Sequence, residues 1–539
     1  MKTILLSILS GILINVCNAQ VSFEKTFGGN YNEEGIASFP AAGGTFVIAG
    51  NTISFGAGAS DIYLLKLNAH GDTLWTKTYG GENNDVATAA QQTADGGFII
   101  TGYSNSFGAS QDVYAIRTDE NGAVIWSKTY GGSADDAALY IKETGNGGFI
   151  IAGYTQSAGA GGKDAYLLSL DPEGNADWAK AYGSSDDEQA GSVALTADGG
   201  YFITGTAIVD GNADVYVVKT NSIGTKMWSE TIGGAAAEEG RSGIQTTDGG
   251  YVIAGNSNSF GHGSNDIYLI RTDAAGALLF SKTFSTEGVD AGNEVKEVAG
   301  GYLIAGCITN AQGNTDACVI KTDSTGALLM VKTFGDIGNE SANDVFMTAA
   351  GEYVITGNAN IIAGSQDVYL VKTDVDGMTT CSEKMSMVAE TTVASGVSTV
   401  TDAEAAMPAT ILYNPVTIIR SGCVGVTRCY KNASLLSNDT LSSYLPGGAT
   451  ADNTVIRSLS VQQPKATLYP NPTDGQFSIS GLQPGTQIEI FDVTGKLVLQ
   501  MVSENEQQQL DITNEAKGLY FYRITGSGVH VQSGKIVKE

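Results

Sequence analysis

One phrase recurs along this chain at a step of about 51 residues, and it decides which folds are open to it. The phrase is Gly-Gly-aromatic-apolar-Ile-x-Gly. It runs from Gly96 to Gly102, Gly147 to Gly153, Gly199 to Gly205, Gly249 to Gly255 and Gly300 to Gly306, with looser copies at 43–50 and 351–357. A second phrase, Asp-x-Tyr, begins at Asp61, Asp112, Asp164, Asp214, Asp266 and Asp367, and its remaining copy reads Asp316-x-Cys318. A third approximates aromatic-x-Lys-Thr-aromatic-Gly and starts at Phe23, Trp75, Trp126, Trp178, Trp228 and Phe280, with Met330 as a weaker copy. A period of this length means a stacked array or a propeller.

Each repeat holds four short strand signals. In the third copy they fall near 137–143, 149–155, 165–170 and 176–182. Between them lie Gly145-Asn146-Gly147-Gly148, Ala158 to Gly162 and Asp171-Pro172-Glu173-Gly174, residues that supply tight-turn backbone angles. No helical period appears. The second and third strands are apolar at consecutive positions, as in Phe149-Ile150-Ile151-Ala152, which suits strands buried on both faces. Four strands in each of seven units predict an all-β, seven-bladed β-propeller over residues 20–380. Residues 21–27 form a fourth-strand phrase with no unit before it, and the last unit supplies only three strands. The N-terminal strand is therefore expected to complete the last blade and remove two exposed edges. An open solenoid would leave that strand unpaired.

The ends carry different signals. Residues 1–19 read as a secretory signal peptide, with Lys2, an apolar stretch from Ile4 to Val16, and Ala19 before the cut. The stretch is short for a membrane anchor. Cys17 follows Val16, where lipid-attachment signals carry a small residue, so lipidation is not expected. No other segment is apolar enough to span a bilayer. Residues 381–462 read as a Thr/Ser/Val-rich spacer with patchy β-structure.

Residues 463–539 lack the repeat and show short alternating strands with Pro, Asn and Gly turns, the pattern of a small immunoglobulin-like β-sandwich. Their motifs are Tyr469-Pro470-Asn471-Pro472 followed by Gly475, then Asp492-x-x-Gly495-Lys496, Gly518-Leu519-Tyr520, and a terminal Gly-Lys535-x-x-Lys538. In content and order this segment resembles the type A C-terminal sorting domain of the type IX secretion system. The resemblance implies a signal-directed step into the periplasm, recognition by the secretion machinery, and outer-membrane export to the cell surface or medium.

Composition narrows the partners. With Lys+Arg 29 against Asp+Glu 57, the net charge is −28. Nucleic-acid binding needs a basic footprint, and anionic lipid repels such a chain. Cys307 and Cys318 fall on neighbouring strands and form a candidate disulfide, Cys423 and Cys429 a second, and Cys381 is left over.

Acid recurs on two sets of loops expected to share one face. The loops before the first strands offer Glu34, Asp85, Asp136, Glu188, Glu239, Glu294 and Asp344, and those before the third strands offer the Asp-x-Tyr aspartates. The functional reading is an acidic mouth holding cations, Ca²⁺ among them because it takes six to eight hard oxygen donors, or a cationic or hydroxyl-rich ligand. The architectural reading is that an acid present in every unit does the same structural work in each, such as accepting turn amides. An enzyme has little to stand on. His70, His262 and His530 are isolated, and no zinc motif or Gly-x-Ser-x-Gly elbow occurs. The Thr-x-Asp-Gly-Gly turns resemble the Asp-box of sialidases, but Arg117, Arg241 and Arg271 are not expected to converge. The sequence thus points to a surface binding platform for glycans or proteins, with a polysaccharide hydrolase or lyase as the rival and a structural surface component as the third reading.

Overall fold

A computed structural model describes residues 21–335, 338–360 and 365–379, the strands within 389–432, and 467–538 apart from 470–475, 481–486, 493–495, 504, 506 and 526–530. The predicted signal peptide lies outside these residues. The chain divides into two compact units, 1–437 and 438–539.

The first unit is all-β. Each repeat folds into a four-stranded antiparallel sheet: 33–79, 85–130, 136–183, 188–233, 238–285 and 291–334 form sheets 1 to 6. Sheet 7 takes Glu340–Met347, Tyr353–Asn360 and Gln366–Lys372, and its fourth strand is Val21–Gly28 from the other end of the unit. The repeat phrases explain the local folding. In the Thr-x-Asp-Gly-Gly turn, Thr93 Oγ1 and the Gly97 amide both donate to Asp95 Oδ1, at 2.7 and 3.2 Å. Gly96 takes φ +88°, a left-handed conformation that glycine adopts without steric cost.

Packing between sheets follows the same repeat. Seven apolar clusters each draw buried residues from two neighbouring sheets. One of them joins sheet 7 to sheet 1, setting Phe23, Phe27, Val354, Val368 and Leu370 against Phe46, Ile48, Tyr63 and Leu65. The aromatic that ends a fourth strand reaches the next sheet: Tyr79 Oη and Tyr130 Oη each donate at 2.7 Å, to the carbonyls of Gly122 and Gly174. The tryptophans lie in the same seams, with Trp126 Nε1 donating to the Pro172 carbonyl at 3.1 Å.

The stretch read from sequence as a spacer supplies five further strands. Ala389–Thr392, Gly396–Thr399, Ala403–Met407 and Ile411–Tyr413 add antiparallel fifth strands to the outer edges of sheets 5, 4, 3 and 2 in turn. Val424–Asn432 then pairs with Val21–Gly28 at the edge of sheet 7. In chain order the described strands of this segment thus step back from sheet 5 to sheet 2 and end on sheet 7, a belt on five of the seven sheets. Its pairing is through backbone groups, and it covers edges that would otherwise be open to other chains.

One cysteine expectation changes. Cys307 and Cys318 are free buried thiols. Cys318 stands opposite Gly306, and Cys307 opposite Ala317. A one-residue offset in register puts the two side chains on opposite faces of the sheet, so no bridge can form. Cys423 lies outside the described residues, and its proposed pairing with Cys429 lies there with it.

In the second unit, one sheet holds Thr467–Tyr469, Gln476–Ser480 and Gln507–Asp511, and the other holds Leu497–Val502, Gln487–Asp492, Gly518–Thr525 and Val531–Lys538. Both contribute to a single core that includes Phe477, Ile479, Ile488, Ile490, Leu510, Tyr520 and Ile536. Lys538 is buried and donates to the carbonyls of Ile512 at 2.9 Å, Thr513 at 2.6 Å and Glu515. Tyr520 Oη donates to the Ala516 carbonyl at 2.5 Å, and the Lys496 amide donates to Asp492 Oδ1 at 3.0 Å. These motif residues hold turns. Pro470, Asn471, Pro472, Gly475 and Gly495 lie outside the described residues.

Candidate functional site: a cavity lined by the first strands

The first strand of every sheet lines one cavity of about 720 Å³. Each of these strands carries a β-bulge three residues from the position of its leading acid, at Ile36, Thr88, Leu139, Gly191, Arg241, Asn293 and Asn343. A bulge puts two residues opposite one and re-aims the extra side chain. Here several of those side chains tie one sheet to the next. Thr88 Oγ1 donates to the Ala138 carbonyl at 2.9 Å, Asn293 Nδ2 to the Ala342 carbonyl at 2.9 Å, and Asn343 Nδ2 to the Gly35 carbonyl at 2.8 Å.

The seven acids singled out in sequence divide into two groups. Asp85, Asp136 and Glu188 begin first strands, are buried, and accept turn amides: Gly81 N at 2.7 Å, Gly132 N at 2.8 Å and Ser184 N at 2.8 Å. Their counterparts in the other sheets are Glu33, Glu238, Asp290 and Glu340, also buried, and these were passed over because acidic neighbours stand one to four residues away. Glu34, Glu239, Glu294 and Asp344 are those neighbours, and they line the cavity. Periodic acids fold the turns, while aperiodic acids face the space between sheets. Counting back from the bulge in each first strand would have separated them.

The periodic acids meet in pairs between sheets. A methyl group placed on Gly131 would lie 2.2 Å from Asp112 Oδ1 and 2.8 Å from Asp136 Oδ2, so only glycine admits both carboxyls. Burial, with the charges of Asp136 and Asp135, pushes the Asp112 carboxyl up to about 7. Burial and Asp290 push Asp266 to about 7, and burial and Glu238 push Asp214 to about 6. Among the described residues no group of three or more His, Cys, Asp or Glu is arranged to hold a metal ion.

The cavity also holds cations and tyrosines that the sequence reading did not select. Lys142 and Tyr140 come from sheet 3, Arg241 from sheet 5 and Lys296 from sheet 6. Lys296 Nζ donates to Asp344 Oδ1 at 2.6 Å, and the Ser38 amide donates to Asp344 Oδ2 at 2.9 Å. Arg241 binds Glu239 Oε2 at 3.0 Å and Asn293 Oδ1 at 3.0 Å. Burial raises the Glu294 carboxyl, with Lys296 and Lys142 opposing and Asp344 reinforcing. Burial lowers the Lys142 ammonium. Burial works against the Lys296 ammonium too, but Asp344 and Glu294 outweigh it and hold its pKa above the usual lysine value.

The other arginines are elsewhere. Arg117 and Arg271 are buried, and each sets Nη2 against both carboxylate oxygens of the Asp-Gly-Gly aspartate of its own sheet, Asp95 or Asp248. Lys219 pairs with Asp198 in the same way. The Asp-box-like turns are thus structural clasps, and of the three arginines only Arg241 lines the cavity.

Residues 467–539 match the family described as secretion system C-terminal sorting domain. A tail of this family marks a chain for recognition by the type IX machinery and export to the cell surface or extracellular space. Elsewhere similarity is distant. The regulatory protein FlaEY of Caulobacter vibrioides is 22% identical over 164 residues, covering 26% of this chain and 17% of its own length. Among solved structures, Sqt1 of Chaetomium thermophilum is 11% identical with a TM-score of 0.36, over 66% of this chain and 98% of that one. PorZ, a surface component of the type IX secretion system of Porphyromonas gingivalis, is 11% identical with a TM-score of 0.23, over 96% of this chain and 100% of that one. None of these is near enough to assign a role. No helix among the described residues is long and apolar enough to cross a membrane.

Proposed function

We propose that the seven sheets close into a seven-bladed β-propeller that serves, after export, as a surface binding platform with its ligand site in the central cavity. The observation that carries this reading is where periodicity breaks. Acids that recur in every sheet are buried in turns, whereas Glu34, Lys142, Glu239, Arg241, Glu294 and Lys296 break the repeat and share one cavity. Ligand sites are concave and need a few convergent polar groups, which a strictly repeated surface cannot supply. Closure is supported by the apolar cluster and the Asn343 hydrogen bond between sheets 7 and 1. The test is a glycan and protein-ligand array on the full mature chain in Ca²⁺ and in chelator, repeated with Arg241→Ala. Binding weakened by Arg241→Ala and indifferent to chelator is expected. Binding that survives Arg241→Ala unchanged moves the site out of the cavity.

A hydrolase acting on extracellular polysaccharide is a second reading favoured by one pair. Glu294 is raised by burial, as a general acid needs, while Asp344 beside it is held against the Lys296 ammonium. Release of reducing ends from polysaccharide that disappears in Asp344→Asn would support it, and a wild-type chain that releases none removes it.

A further inference from the structure

The charges lining the cavity do not balance, and the imbalance sits at one residue. Glu34, Glu239, Glu294 and Asp344 face Lys142, Arg241 and Lys296 there. Glu239 pairs with Arg241 at 3.0 Å and Asp344 with Lys296 at 2.6 Å, and Glu294 lies in the field of Lys142 and Lys296. Glu34 is different. The described contacts of its carboxylate are two long ones, from Asn51 Nδ2 at 3.3 Å and Asn358 Nδ2 at 3.5 Å. Those distances are beyond a good neutral hydrogen bond, and a charge-assisted bond would be shorter still. The two amides belong to sheets 1 and 7, so a half-buried carboxylate is held by paired strands with no cation to meet it among the described residues.

An aromatic ring from the next sheet shares the cavity wall with it: Glu34 stands opposite Asn51, Asn51 holds the Ala87 amide, and the preceding Val86 stands opposite Tyr103. The residue after the second-strand glycine is Asn51, Asn256 or Asn358 in sheets 1, 5 and 7, and each clasps the next sheet. Asn51 Oδ1 accepts from the Ala87 amide at 2.7 Å, Asn256 Oδ1 from Gly292 at 3.0 Å and Asn358 Oδ1 from Gly35 at 3.0 Å. Sheet 2 gives up that clasp and places Tyr103 there instead, half-buried on the cavity wall. Burial and the nearby Glu34 charge both raise its phenol.

We propose that Glu34 and Tyr103 form a subsite for a primary ammonium group, and that the ligand presenting it is an amino sugar. The proposal rests on the cavity being the ligand site. A carboxylate and an aromatic ring on one cavity wall can together recognise an organic cation. One ammonium would meet the carboxylate that the described lining leaves without a cation. The sugar is favoured over a lysine side chain because the remaining wall mixes a polar group in Gln189 with a second ring in Tyr140 and apolar side chains such as Ile36 and Phe39, matching the hydroxyls and the apolar C–H faces that a pyranose carries together. The volume of the cavity falls within the range of small-ligand sites.

The experiment is calorimetric titration of the full mature chain with the glucosamine disaccharide, its N-acetylated form, cellobiose and a lysine tripeptide, at about 0.15 M salt, where long-range attraction to an acidic surface is screened. The free amino disaccharide is expected to bind at least about tenfold tighter than the N-acetylated form, with that preference lost in Glu34→Gln and weakened in Tyr103→Leu. Glu120→Gln removes the same charge from an exposed turn and should change nothing. Glu34→Asp should keep part of the preference, and matching thermal melts exclude misfolding. Equal binding of the two disaccharides overturns the ammonium subsite and leaves the cavity reading standing. Binding of the tripeptide alone overturns the sugar. An equal loss in Glu120→Gln assigns the preference to general charge and also overturns the subsite. If no probe binds, the subsite falls, and the Arg241→Ala array decides separately whether the cavity reading falls with it.

Discussion

Asn343 Nδ2 donates a hydrogen bond to the Gly35 carbonyl at 2.8 Å, joining residues more than three hundred positions apart. Asn358 completes the contact from the same sheet by accepting the Gly35 amide at 3.0 Å. Both polar groups of one buried glycine backbone are thus satisfied by side chains of the last sheet, where a single chain has to join its two ends.

Asn358→Ala should therefore be more damaging than an ordinary surface change. It leaves the Gly35 amide buried without an acceptor, a loss of about 1–3 kcal/mol. Chemical denaturation would read the loss, and hydrogen exchange should show it first in Val21–Gly28 and the first strand of sheet 1. An Asn358→Ala chain as stable as wild type would show that the seam between sheets 7 and 1 does not limit stability.

Gly131→Ala tests the carboxyl pair between sheets 2 and 3. The added methyl meets Asp112 Oδ1 at 2.2 Å, with both carboxyls buried and fixed. Overpacking of this kind costs about 1–3 kcal/mol. Gly145→Ala, where a methyl group meets nothing within 4 Å, should cost clearly less in the same denaturation assay.

The raised carboxyls set a direction for pH dependence. Asp112, Asp266 and Asp214 rise from 3.8 in the unfolded chain to about 7, 7 and 6 in the fold. The folded state therefore holds protons that the unfolded state releases. The stability tied to these protons is fully present below pH 3.8 and is lost as pH rises through 6 to 7. Thermal midpoints should fall between pH 5 and pH 8, and Asp112→Asn should flatten part of that slope. A midpoint that rises steadily over the same interval would contradict the assignment.

The belt predicts that the array is not complete at residue 380. A chain ending at 388 lacks the fifth strands on sheets 2 to 5 and the strand that covers Val21–Gly28. Compared with a chain ending at 437, it should exchange amide protons at Val21–Gly28 at least about tenfold faster. It should also self-associate through its uncovered edges, as sedimentation would reveal.

Removal of residues 463–539 should leave the protein in the periplasm, as cell fractionation would show. Lys538→Ala tests the same step more finely, because it strips three carbonyls of their buried ammonium. A loss of at least about 2 kcal/mol in the C-terminal unit is expected, with reduced surface delivery. Normal surface delivery without residues 463–539 would refute the sorting role.

The sheets were legible in sequence because glycine turns and doubly buried strands leave strong marks, and the array repeats them. The fourth strand of sheet 7 was legible from the phrase at Phe23. The sorting tail was legible because its motifs fall in one order. The belt was not, because strands such as Ala389–Thr392 and Gly396–Thr399 add through backbone hydrogen bonds, which any sequence can make. Glu34 and Glu239 were mistaken for repeat acids because Glu33 and Glu238 stand next to them, and a single step along a strand exchanges turn for cavity. The same one-residue sensitivity undid the pairing of Cys307 with Cys318. The cations of the cavity were missed because their meaning lies across the array: Lys142 and Glu294 share no local pattern.

Val21–Gly28 lies between Gln366–Lys372 on one side and Val424–Asn432 on the other. Its Glu24 accepts a hydrogen bond from Tyr369, 345 residues downstream. In a chain that crosses a membrane amino end first, the earliest strand to arrive must wait for residues 366–372 before it has a strand to pair with. A chain interrupted before residue 366 therefore leaves both edges of this strand unpaired.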